Sequence, residues 1–234
     1  MLKIKKETII VTSIAILSAI LFMVIAIIVY TNGGELALDN NIKEGIYNIR
    51  GAKGGFIYYL FRFITEFGYL YVAILIGVIG IFYTKIDRGL IIYAIGFIFS
   101  ATLNAVFKLM FDRQRPDLAN QWMVDDESSF PSGHSNTVAF VYSYVTYYIF
   151  KKSKKNWLKY CALGFTFVII PLVMFSRLIL GMHYFTDVIA GGCVGLFSFA
   201  MAAYLYMIFE RYDLFTNGFI KFKGKNNEEE SINY

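Results

Sequence analysis

At 234 residues the chain could hold one or two soluble domains, but 57% hydrophobic residues, 18% aromatics, a mean hydropathy of +0.55 and only three prolines place it in the bilayer. The net charge of +5 is accounted for by topology, as argued below, and needs no nucleic-acid partner. Cys161 and Cys193, the only cysteines, fall in apolar runs where a thiol packs as a small apolar group, so neither a disulfide nor a thiolate metal site is indicated.

A helix needs roughly 20 mostly apolar residues to cross a hydrocarbon core about 30 Å thick. Six stretches meet or approach that length: 9–31, 67–84, 89–111, 135–150, 158–180 and 187–209. The expected fold is therefore all-α, a polytopic bundle of six transmembrane helices forming a single membrane-embedded domain over 1–234. The opening "MLKIKKE" resembles the basic start of a signal peptide, but the apolar run behind it is too long and lacks a small-residue cleavage site, so it reads as an uncleaved first helix. "GGFIYYLFRFITEFG" at 54–68 has two readings, an aromatic-rich interfacial helix or the start of an overlong, tilted second span. The tail "KGKNNEEESINY" has nothing to bury and is expected to be disordered.

Orientation follows from lysine and arginine in the short loops. Lys3, Lys5 and Lys6, then Lys85 and Arg88, then "KKSKKNWLK" at 151–159, then Arg211, Lys221, Lys223 and Lys225 all fall on one side. Residues 1–8 and 212–234 are thus expected in the cytoplasm, with loops 32–55, 112–134 and 181–186 outside.

Ionisable residues at the ends of spans are the informative exceptions, because charge in a membrane segment is costly and usually faces a bundle interior or a wet site. The first cluster is "KLMFDRQRP". On a helix, Lys108 and Arg115 would share a face about 10 Å apart along the axis, and Pro116 pushes Arg115 towards leaving the helix, at the rim above Lys108. A snorkelling lysine is the alternative. The second is "FPSGHS" at 130–135, where Ser132 or Ser135 could cap the next helix, Gly133 permits close backbone approach, and His134 stands at the lip. An ordinary turn with a solvated histidine is equally compatible with that stretch alone. The third is "SRLILGMHYFTD" at 176–187. Its Arg177 ends a span, and the i, i+4 spacing of His183 and Asp187 would let the carboxylate accept the Nδ1 proton and leave Nε2 free as a nucleophile.

All three clusters lie at outward ends of spans, so a bundle can gather them into one pocket. Three cations, backbone amides, two histidines and one carboxylate suit a doubly charged phosphate better than a metal ion. The acidic run Asp125, Asp126 and Glu127 reads as a solvated loop face, since no histidine or further carboxylate has ligand spacing. No metal or cofactor is called for.

In this order, K-x6-R-P, P-S-G-H and S-R-x5-H-x3-D resemble the three-part signature of the type 2 phosphatidic acid phosphatase superfamily, in its membrane lipid phosphatase branch. The resemblance spans Lys108 to Asp187. It implies that His183 is the nucleophile that becomes phosphorylated, Asp187 its orienter and His134 the general acid, with Lys108, Arg115, Ser132, Gly133 and Arg177 binding the phosphoryl oxygens. The implied activity is metal-independent hydrolysis of a phosphate monoester or diphosphate lipid at the extracytoplasmic face of the cell membrane. By analogy the candidates are phosphatidylglycerophosphate, undecaprenyl diphosphate and phosphatidic acid. A lipid phosphotransferase using the same phosphohistidine is one alternative, and a non-catalytic lipid-phosphate binding or transport protein another. Arg113 and Asp117 flank the signature and could touch the rest of the substrate. Nothing in the sequence reports on oligomeric state.

Overall fold

A computed structural model describes residues 6–34, 36–84, 87–117, 120–123 and 127–212; side chains are described at all of these except 80–84. The expectations for residues 1–5, for the tail beyond 212 and for Asp125 and Asp126 fall outside that set. The described chain is helical: α1 (Lys6–Thr31), α2 (Ala37–Ile49), α3 (Phe56–Thr65), a 3-10 turn (Glu66–Gly68), α4 (Leu70–Thr84), α5 (Arg88–Phe111), α6 (Gly133–Lys152), α7 (Asn156–Ile179) and α8 (Phe185–Arg211).

Among the described residues, α1, α5, α7 and α8 are long and apolar enough to cross a membrane. A fifth candidate is the pair formed by α3 with its 3-10 turn and α4, bent by 54° at Tyr69. Segment 54–68 is therefore helical but is not the start of one straight span, because it meets the helix that follows at a sharp bend. Helix α6 matches the expected fourth span in position but carries Ser135, Asn136 and Thr146, all buried against neighbouring helices. The segment 32–55, read as a plain loop from the sequence, contains helix α2 between glycine pairs; Gly33, Gly34, Gly51 and Gly54 adopt the positive φ that other residues avoid.

In a bilayer the tails are as apolar as leucine, so helices associate through close packing and small residues. Helix α8 is the hub, packed by α6, α1 and α5. Its start, "GGCVG", shows why. A Cβ at Gly191 would lie 2.2 Å from the Ser132 carbonyl oxygen, and one at Gly195 would lie 2.3 Å from that of Asn136. Two glycines four residues apart thus let α6 lie backbone to backbone on α8 and seat the 130–135 turn. Ser100 of α5 donates to Asn136 Oδ1 at 2.8 Å, tying the third helix to that seam. Large apolar side chains such as Leu17, Ile27, Ile98, Leu109 and Phe167 point outward, as lipid-facing residues do.

Helix direction then sorts the charges. The C-terminal ends of α5 and α7 and the N-terminal ends of α6 and α8 meet at one end of the bundle. At the other end Lys151 joins Glu7 and Glu210, and Lys152 pairs with Asp87 at 2.8 Å.

Candidate active site

The three sequence clusters converge. Helix α5 stops at Phe111, and Asp112 closes it in a left-handed conformation (φ 39°), so Arg115 stands on extended chain rather than on the same helix face as Lys108. Both cations are nonetheless drawn to one place. Lys108 donates to Glu127 Oε2 (2.7 Å) and to the Ser128 carbonyl (2.9 Å), while Arg115 Nε donates to the Glu127 carbonyl (2.7 Å). Arg115 Nη1 reaches the Met182 carbonyl (2.9 Å) and stands 3.4 Å from His183 Nε2. Arg177 is fully buried, and its Nη1 donates to Thr65 Oγ1 at 2.8 Å. Lys108, Arg115, Arg177 and His183 all lie close enough to His134 to act on its charge.

The turn before α6 is specific in its use of polar atoms. Ser132 is the N-cap, fully buried, its hydroxyl accepting from the Ser135 amide at 3.5 Å and the Ser135 hydroxyl at 3.1 Å. Its own amide donates to the Asp187 carbonyl. A Cβ on Gly133 would meet only Asn104 Oδ1, at 3.7 Å, so protein packing does not demand the glycine and that face of the backbone stays open. His134 stacks edge-on to Tyr69, with centroids 4.4 Å apart, at the bend between α3 and α4. Its Nε2 is buried and has no hydrogen-bond partner among the described residues.

His183 differs from its sequence expectation in one respect. Gly181 (φ 72°) turns the chain and α8 begins only at Phe185, so His183 precedes the helix and is not on a shared face with Asp187. Its Nδ1 lies 2.8 Å from the Ser129 carbonyl oxygen and 3.7 Å from Asp187 Oδ2. A carbonyl only accepts, so Nδ1 carries the proton and the Nε2 lone pair faces Arg115. Burial, helped by Arg115 and Arg177 and opposed by Asp187, lowers the His183 pKa to about 4, leaving the ring neutral at pH 7.

Asp187 is held from behind. Its carboxylate accepts from the Tyr184 amide (2.8 Å), from Ser129 Oγ (2.5 Å) and from Arg113 Nη1 (2.5 Å). Arg113, expected at most to touch substrate, turns inward instead and also donates to Asp39 of α2 at 2.7 Å. Burial opposes its charge, but Asp187 and Asp39 outweigh that and raise its pKa above the ordinary guanidinium value. Asp117 is exposed and lies 3.9 Å from Lys43. A cavity of about 640 Å³ opens beside Arg115 and Arg113, lined also by Tyr30, Asp112 and Tyr184. Thr65, Ser129 and Asp39 had no sequence signal: each is a common residue type in a segment read as loop or interfacial helix. Among the described residues, no group of three or more His, Cys, Asp or Glu side chains is placed to hold a metal ion.

Comparison with known proteins gives four consistent matches. The profile of the PAP2 superfamily matches residues 89–213. Phosphatidylglycerophosphatase B of Bacillus subtilis (strain 168) is 34% identical over 187 residues, covering 76% of this chain and 87% of that protein. The crystal structure of the transmembrane PAP2-type phosphatidylglycerolphosphate phosphatase from Bacillus subtilis superposes with a TM-score of 0.75 at 28% identity, over 85% of this chain and 98% of the other. Aquifex aeolicus LpxE, with a TM-score of 0.60 at 19% identity over 72% of this chain and 96% of the other, shares the fold.

Proposed function

The chain belongs to the PAP2 superfamily and is a membrane lipid phosphatase, and from that premise we propose that it hydrolyses a phosphate monoester or diphosphate lipid at the outer face of the membrane through a phosphohistidine on His183. Phosphatidylglycerophosphate is the first substrate to test, because it is the one in the name of the Bacillus subtilis relative above. Undecaprenyl diphosphate and phosphatidic acid follow. Six spans with both termini in the cytoplasm put the basic end of the bundle inside and the histidine end outside.

The observation that carries this reading is the pair of imidazole Nε2 atoms at one cation cluster. That of His183 is 3.4 Å from Arg115, and that of His134 is buried with no hydrogen-bond partner among the described residues. A phosphoryl group between them would meet a nucleophile on one side and a proton carrier on the other. The His183 Nε2 lone pair forms the N–P bond as the P–O bond to the lipid breaks, and the proton that His134 holds once the phosphate's negative charge is in place goes to the departing oxygen. Water then attacks phosphorus, His134 takes the water proton, the N–P bond breaks and inorganic phosphate leaves. Charge spreads over the equatorial oxygens in such a transfer, and fixed cations and amides in a sheltered site stabilise it. Lys108, Arg115, Arg177 and the open amide face at Gly133 fill that role, and buried Ser132 serves it by holding the turn in place.

The test is phosphate release from the three lipids with chelator present, comparing wild type, His183→Ala and His134→Ala. Wild type should release phosphate undiminished by chelator, His183→Ala should fall to background and form no phosphoenzyme, and His134→Ala should form phosphoenzyme slowly. Undiminished release by the His183 variant would remove the nucleophile assignment.

A further inference from the structure

Behind His183 lie two carboxylates and one guanidinium, all sealed from solvent: the side chains of Asp39, Arg113 and Asp187 are 0%, 2% and 0% exposed. Arg113 bridges the carboxylates, at 2.5 Å to Asp187 Oδ1 and 2.7 Å to Asp39 Oδ2, with its Nε on the Gly34 carbonyl at 2.8 Å. Asp39 also grips the residue next to Asp187. Its Oδ1 accepts from the Thr186 amide (3.0 Å) and its Oδ2 from the Thr186 hydroxyl (2.6 Å). Helix α2 is thus fastened to the first turn of α8 from across the fold.

The charges do not cancel. One guanidinium neutralises one carboxylate, which leaves about one negative charge buried beside His183, an arrangement that costs free energy unless something nearby uses it. The attacking ring is the group that uses it. A neutral imidazole that bonds to phosphorus through Nε2, with its proton kept on Nδ1, acquires positive charge. Without Asp39, Arg113 would cancel Asp187, and no net negative charge would face that ring.

We propose that Asp39 is a positioning residue of the phosphoryl-transfer site: through Arg113 and Thr186 it fixes the Asp187 carboxylate behind His183 and supplies the negative charge that offsets the cationic phosphohistidine. This rests on His183 being the nucleophile.

Rapid-quench trapping of the phosphoenzyme on the full-length protein in detergent tests it, using wild type, Asp39→Asn and Thr186→Val, with KM and kcat for the same lipid phosphate. Asp39→Asn keeps the shape but removes the charge. It should slow phosphoenzyme formation and lower kcat on the order of 10- to 100-fold, as when a partner orienting a working imidazole is removed, with KM unchanged because Asp39 does not touch the phosphate site. Thr186→Val removes the hydroxyl half of the tether, leaves the amide half and keeps the charge, and should retain clearly more rate than Asp39→Asn. Equal losses in the two variants at matched thermal stability would reduce Asp39 to a structural tether and overturn the proposal. So would an Asp39→Asn variant with a wild-type burst, or one whose loss lies in KM alone. If Asp39→Asn does not fold, a Thr186→Val variant that folds yet loses the roughly 10- to 100-fold expected for Asp39→Asn overturns it on its own, and one that keeps most of the burst supports it. A wild type that turns over without any phosphoenzyme overturns the His183 mechanism itself, and this inference with it.

Discussion

The low proton affinity of His183 makes a prediction that can be read on a single side chain. Burial, with Arg115 and Arg177 facing the ring and Asp187 opposing them, brings its pKa to about 4 from an ordinary 6.5. His134 is the other histidine at the same cluster, where Lys108, Glu127 and Asp187 can also titrate. At pH 5 a ring with that pKa would be about 90% neutral, whereas an unperturbed histidine would be about 3% neutral, a roughly thirtyfold difference in available nucleophile. The stability sign follows from the same numbers. Above pH 6.5 both folded and unfolded states hold a neutral ring; as pH falls from 6.5 towards 4 only the unfolded chain gains the proton, so stability drops, by about 3 kcal/mol at most. A phosphate monoester substrate itself titrates near pH 6, so kcat/KM alone would mix two limbs. With only two histidines in 234 residues, nitrogen-labelled histidine gives two pairs of ring signals, and His134→Asn assigns them. A His183 midpoint well below 5 is expected in micelles. A midpoint at or above 6.5 would mean that the ring is wet or charge-paired in solution, and the neutral-nucleophile argument would fall.

Two further predictions concern the scaffold and the sidedness. Gly191→Ala places a methyl group 2.2 Å from the Ser132 carbonyl, so it should cost about 1–3 kcal/mol and displace the 130–135 turn, lowering activity with Tm. Gly164→Ala, where a Cβ meets nothing within 4 Å, is the control and should leave both unchanged or slightly improved. In a background lacking Cys161 and Cys193, cysteine at the exposed positions Asp117 and Lys154 reports topology: an impermeant maleimide on intact cells should label the first and reach the second only after permeabilisation. Reversed labelling would put the histidines on the cytoplasmic side.

How much of this was legible depends on which physical signal each residue emits. The apolar runs gave α1, α5, α7 and α8 to within about three residues, because a continuous run of bilayer length has few other uses, whereas the bend between α3 and α4 left no mark in them. The motif residues were legible because charges and histidines at span ends are costly and therefore rare. Helix α2 was hidden by its polar composition, although glycines bracket a 13-residue segment whose Ile42 and Ile46 recur at helical spacing. Asp39 was not legible at all. Nothing one-dimensional places residue 39 beside 113 and 187. The spacing of His183 and Asp187 looked like i, i+4 on a helix and was not, since the helix starts two residues after the histidine.

In the proposed mechanism the geometry favours the α6 end of the pocket over the neighbouring start of α8 for the phosphoryl group. Both helix N-termini point into the same region with partial positive charge, and either could hold an anion. The first turn of α8 is already occupied, because its Asp187 carboxylate takes the Tyr184 amide at 2.8 Å. The first turn of α6 carries no acidic side chain, only an internal serine cap and an open backbone face at Gly133. The two C-terminal ends that meet them would repel a phosphate, but Lys108 and Arg177 sit in the last turns of α5 and α7, where cations offset the negative dipole ends. Every helix end around the pocket is therefore positive or neutralised except where Asp187 and Asp39 stand, and those two carboxylates lie behind the one ring that the proposed mechanism turns into a cation.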